Sequence, residues 1–94
     1  MITYKAAFVE IPEGFHAEVV DYPGVLTFGK NLAEARRMLA SALVDMAETN
    51  LLLGEPLPIP NPSATNPDAD LEEPIYLLLS AANRVAIVPM EAAS

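Results

Sequence analysis

The sequence predicts an α+β fold in which an antiparallel sheet, assembled in the order β-β-β-α-β, carries one long helix on one face. Three observations predict it. Apolar and polar residues alternate with period two over residues 2–11 and again over 15–20, as they do in strands with one buried face. A single apolar stripe at helical spacing then runs unbroken from Asn31 to Gly54. Beyond it, residues 55–70 hold Pro56, Pro58, Pro60, Pro62 and Pro67, which rules out a regular helix or a central strand there.

In the first strand Ile2, Tyr4, Ala6 and Phe8 share one face, and Thr3, Lys5, Ala7 and Val9 share the other. Pro12, Glu13 and Gly14 make a tight connection to a second strand, where Phe15, Ala17 and Val19 alternate with His16, Glu18 and Val20. Asp21, Tyr22, Pro23 and Gly24 supply the next turn, since proline presets its own φ and glycine accepts a positive one. Val25 to Phe28 is a short third strand, and Gly29 with Lys30 turns the chain into the helix.

Asn31 is a good N-cap, and Glu34 completes a pattern like the capping box, with Asn in place of the usual Ser or Thr. Leu32, Ala35, Leu39, Ala42, Leu43, Met46 and Leu53 form the stripe expected in the core; Glu34, Arg37, Ser41, Asp45 and Glu48 form the wet face. Gly54 is placed for the left-handed C′ position, and Pro56 follows where a helix cannot continue. At about 1.5 Å per residue such a helix is on the order of 34 Å long and crosses a small sheet completely. Ala33, Ala40, Val44, Ala47 and Leu51 add an apolar flank too broad for a helix with one buried side. Ala40, Val44, Ala47 and Leu51 are therefore the expected contacts of a homo-oligomer.

The Pro-rich connector over residues 55–70 is expected to be extended and to return along its own domain as a strap, with Leu57 and Ile59 lying on an apolar surface; the other reading of the same segment is a ligand for a partner. Residues 71–90 hold the final strand segment. Val85, Ile87 and Val88 read as a strand stopped by Pro89, whereas residues 75–82 fit both a strand and a helix.

A chain of 94 residues with 52% hydrophobic content has a thin core, and some of its apolar surface is expected to be buried between subunits. Thirteen acids against five Lys or Arg and one His leave a net charge of −8, which argues against binding a phosphate backbone and suits a basic protein partner. Without cysteine there is neither a disulfide nor a thiolate nucleophile. Neither a signal peptide nor an apolar run near the ~20 residues of a membrane span is present, so a cytoplasmic, membrane-free protein is the expectation.

The residues assemble no catalytic or metal site. His16 is the one histidine, and the serines at 41, 63, 80 and 94 lack a nucleophile-elbow context. Asp68, Asp70, Glu72 and Glu73 form an acidic run without metal-loop spacing, and the four glycines make no phosphate cradle. The expectation is no enzyme and no cofactor. Glu18, Glu55, Leu57 and Ile59 are the candidates for contact with a partner.

The run Asp21-Tyr22-Pro23-Gly24-Val25-Leu26-Thr27-Phe28-Gly29-Lys30-Asn31-Leu32-Ala33-Glu34-Ala35, preceded by Tyr4, Phe8, Gly14 and Phe15 and followed by Gly54-Glu55-Pro56-Leu57-Pro58, resembles the HicB-like antitoxin family. The resemblance spans roughly residues 3–60. It implies a partial RNase-H-like fold without a working nuclease site, and a role in neutralising a small basic RNA-cleaving toxin of the HicA type by covering its active face. Many such proteins carry a C-terminal DNA-binding module; the residues after Asp70 do not resemble one, so a single domain over 1–94 is expected. An orphan binding module of the same fold, and a residual metal-dependent nuclease using Asp21, are the other readings. The matching residues Asp21, Pro23, Gly24, Gly29, Asn31 and Gly54 read as structural: they shape the turn, the corner and the two helix ends.

Overall fold

The computed structural model describes residues 1–78, and in it the N-terminal alternation becomes a long strand at the heart of one sheet. The elements are β1 (Ile2–Ile11), β2 (Gly14–Val19), β3 (Leu26–Gly29), α1 (Leu32–Leu52) and β4 (Leu71–Leu77). The four strands lie in the order β3-β2-β1-β4, each neighbouring pair antiparallel. The α+β class and the β-β-β-α-β order are those read from the sequence.

One face of the sheet packs on the helix. Tyr4, Ala6 and Phe8 of β1, Ala17 and Val19 of β2 and Leu77 of β4 meet Ala35, Leu39, Leu43 and Ala47 of α1. Those four helix residues recur every fourth position, so they make one narrow seam. Leu39 and Leu43 are fully buried, and each such side chain contributes about 1.5–3 kcal/mol relative to exposure. Two expectations are corrected here. Ala47, expected in an oligomer flank, is 0% exposed in the chain's own core, because the seam drifts around the helix by about 40° for every four residues. Leu53, expected in the core stripe, is exposed because it is the C-cap and lies beyond the covered length of α1.

Local chemistry sets the joints. The Val25 N–H donates to the Tyr22 carbonyl at 3.2 Å, with Pro23 and Gly24 between them and Gly24 at φ +93°, the arrangement of a type II turn. At the corner into α1 a Cβ on Gly29 would stand 2.6 Å from the Ala35 Cα, so only glycine lets β3 and the helix approach this closely. The Asn31 side chain accepts from the Glu34 N–H at 2.8 Å, and Glu34 in turn accepts from the Lys30 N–H at 2.6 Å, one residue earlier than a capping box would place it. At the other end the Glu55 N–H reaches the Asn50 carbonyl and the Gly54 N–H reaches that of Leu51, closing a Schellman motif around Gly54 at φ +75°.

The connector is a strap. The Tyr4 hydroxyl donates to the Pro58 carbonyl at 2.7 Å, and Leu57 packs against the core. Asp21 accepts from the Lys5 and Asn61 N–H groups, both at 2.9 Å, and so joins β1 to the strap. The strap ends where the Asp70 N–H donates to the Phe8 carbonyl, and β4 begins at Leu71. Of the segment open to two readings, residues 75–77 are strand and Leu78 lies exposed just past its end; residues 79–82, and the strand expected around Val85 and Ile87, lie outside the described residues.

The two edges of the sheet differ in kind. The Phe8 carbonyl faces the β4 side and the Lys5 carbonyl accepts from the Val20 N–H on the β2 side, so alternation makes Leu71, Glu73, Ile75 and Leu77 the residues of β4 that bond to β1. Glu72, Pro74 and Tyr76 turn their main chain outward, and the N–H that Pro74 lacks removes nothing from the ladder. On the far edge the Val19 N–H donates to the Val25 carbonyl, which puts Thr27 and Gly29 in phase to bond with β2. Leu26 and Phe28 therefore point N–H and C=O away from the sheet.

Candidate protein-docking site

The sheet face opposite α1 carries Lys5, Ala7 and Val9 of β1, His16 and Glu18 of β2, and Leu26 and Phe28 of β3, because the register pairs Ala7 with Glu18, Val9 with His16, Glu18 with Leu26 and His16 with Phe28. No helix covers this face among the described residues; the strap covers part of it. The Lys5 ammonium donates to the Ala64 carbonyl at 2.6 Å and the Pro62 carbonyl at 3.3 Å, and lies 3.7 Å from Glu72. Glu72 accepts from the Asn66 N–H and the Thr65 hydroxyl, each at 2.7 Å, while the Asn66 amide donates to Glu18 at 2.6 Å. The Asn66 and Thr65 donors, helped by Lys5, hold the Glu72 carboxyl below the usual carboxylate range. Ala7 is buried beneath this network although it lies away from the helix.

Next to the strap the face stays open. A shallow cleft of about 200 Å3 lies between Ala7, Val9, His16, Glu18, Leu26 and Asn66. Leu26 is 66% exposed and Phe28 39%, with His16 edge-on to the Phe28 ring at 5.9 Å. Apolar side chains in water beside one carboxylate make a surface suited to a protein partner with an apolar anchor and a neighbouring cation.

Of the residues named as candidate contacts, Glu18 lies in this site and the others do not. Glu55 accepts from the Asn50 amide at 2.7 Å at the end of α1, Leu57 is turned into the core, and Ile59, expected to lie along the domain with Leu57, is 87% exposed on the strap. Ala40 is exposed beside a second groove, between α1 and β4, where Arg36 pairs with Glu73 at 2.8 Å; Val44 and Leu51 are half-buried. Val9, Leu26 and Phe28 were not singled out from the sequence, and His16 was singled out only as the one histidine. Their signal was present in the alternation, which leaves each of them on the side away from the helix.

The arrangement offers little for chemistry. Both oxygens of Asp21 are occupied by main-chain donors, and among the described residues no three His, Asp or Glu side chains gather as metal ligands. No described helix is long and apolar enough to cross a membrane. The described residues form a small α+β domain with one sheet face that no described helix covers.

No protein-family model matches the chain, and no curated protein matches it in sequence. Solved structures do match. The N-terminal domain of the antitoxin HicB of Burkholderia pseudomallei aligns with a TM-score of 0.65 at 20% identity, over 83% of this chain and 100% of that domain. The longer antitoxin HicB of the same organism aligns with a TM-score of 0.65 at 20% identity, over 82% of this chain and 64% of its own length. A chain of a HicA3 and HicB3 toxin-antitoxin complex aligns with a TM-score of 0.55 at 23% identity, over 70% of this chain and 73% of that one. The fold is that of the HicB antitoxin N-terminal domain.

Proposed function

We propose that this chain is the antitoxin of a toxin-antitoxin pair, a HicB-like protein that binds a small basic RNA-cleaving toxin of the HicA type and neutralises it by covering its active face. The observation that carries this reading is the likeness in fold to HicB, which extends over the whole of that antitoxin's N-terminal domain. A net charge of −8 supports it, because opposite fields steer a basic partner toward an acidic one. The open sheet face supplies apolar anchors next to Glu18, which is what a protein contact requires. The chain acts as a binding protein without cofactor or catalysis, in the cytoplasm, as one domain over residues 1–94, and it does not itself grip nucleic acid. It self-associates through the exposed side of α1 at Ala40, Val44 and Leu51.

The test is co-expression with any short basic reading frame found adjacent to the gene for this chain, scoring growth rescue and co-purification. Rescue with a stable complex supports the antitoxin reading. The absence of both rescue and co-purification refutes it and leaves the orphan binding module. Sedimentation of the chain alone reports self-association, and a monomer at high micromolar concentration overturns that part.

A further inference from the structure

The two sheet edges are not equivalent, and the difference points to a mode of binding. β4 is blunted at its middle, since Pro74 faces outward and has no N–H to offer an added strand. Among the described residues β3 carries no such block. Leu26 and Phe28 turn both main-chain groups outward at the edge, and their side chains lie on the open face, at and beside the cleft next to the strap.

We propose, resting on the antitoxin reading above, that the partner adds an extended basic segment to the free edge of β3, bonding to the main chain of Leu26 and Phe28 and seating an apolar side chain in the cleft. Alternation along the added strand sends every second side chain onto the same face as Leu26 and Phe28. Main-chain bonds supply affinity there, and the cleft supplies selectivity. Charge decides the occupant: a second copy would bring another −8 and a second Glu18 to the same edge, whereas a basic segment finds Glu18 next to the apolar seat. β3 is only four residues long, so a partner must use the side-chain contacts as well as the ladder.

Amide hydrogen exchange on the chain alone and on the complex obtained by co-expression tests this. In the free chain the Thr27 and Gly29 amides are protected and those of Leu26 and Phe28 exchange fast; in the complex Leu26 and Phe28 slow by at least about a hundredfold. Leu26→Pro removes one outward N–H as Pro74 does in β4, and weakens the complex at least about tenfold. Leu26→Thr keeps the N–H and weakens it less. Phe28→Lys replaces the exposed ring with a cation facing the basic segment, leaves the ladder untouched and also weakens the complex, so an unfolded Leu26→Pro chain does not stop the test. The proposal is overturned if Leu26 and Phe28 stay unprotected in the complex, or are already protected in the free chain through self-pairing. An unaltered chain that captures no basic protein overturns the antitoxin reading and this proposal together, an outcome distinct from a complex that forms with both amides still open.

Discussion

Replacing Asp21 with alanine tests how the strap is held to the sheet. Its carboxylate receives the Lys5 and Asn61 N–H groups at 2.9 Å each, across 16 and 40 residues of chain. A hydrogen bond to a charged group contributes about 1.5–3 kcal/mol, and because Asp21 is half-buried and Asn61 exposed, both bonds belong at the low end, near about 3 kcal/mol together. In a chain of this size each kcal/mol moves the melting temperature by roughly 4–8 °C, so Asp21→Ala is expected to melt on the order of 15 °C lower. Asp21→Asn keeps one acceptor oxygen and turns the other position into a donor, so it loses about half as much. Circular dichroism melts and urea unfolding with an unchanged slope measure both. An Asp21→Ala chain melting within about 3 °C of the parent would show that the strap is held by other contacts. The same variants address the nuclease reading: metal-dependent RNA cleavage abolished by Asp21→Asn at a temperature where that variant is still folded would restore Asp21 as a catalytic group.

Gly29→Ala forces a methyl to within 2.6 Å of the Ala35 Cα, so helix and sheet must separate; a loss of about 1–3 kcal/mol is expected in urea unfolding, and a neutral result would mean that the corner is loose. Asn31→Ala removes the acceptor for the Glu34 N–H and lowers stability by about 1 kcal/mol while leaving partner affinity intact; a folded variant that no longer binds would contradict that role. Burial raises the phenol of Tyr4 above its ordinary value of 10.0, with the nearby Tyr22 and Asp21 adding to the effect, and burial with Glu55 does the same for Tyr22. A group whose folded value is raised gives stability that is complete below the unfolded value and lost as pH rises through the folded one. The melting temperature is therefore expected to hold through neutral pH and to fall above pH 10.0, and a curve flat into strong alkali would place both phenols in water.

What the sequence determined by itself is local. The cap at Asn31, the turn at Pro23 and Gly24 and the stop at Gly54 each depend on backbone angles and bonds spanning a few residues, which the residue types dictate directly. The strand alternation separated the two faces of β1 and β2, and the prolines from 56 to 67 marked the connector, whereas Pro74 lies inside β4. Tertiary structure decided the rest, because it depends on partners far apart in the chain. Whether Ala47 faces a neighbour or the core depends on how α1 lies across the sheet, and Leu57 and Ile59 part company because the Tyr4 hydroxyl and Asp21 bind the strap on either side of Ile59. Which edge is open depends on the pairing of β4 with β1, since the outward position of Pro74 is a matter of register and not of composition. The docking face exists as a site only once β3, β2 and the returning strap are side by side, with Leu26, His16 and Asn66 around one cleft.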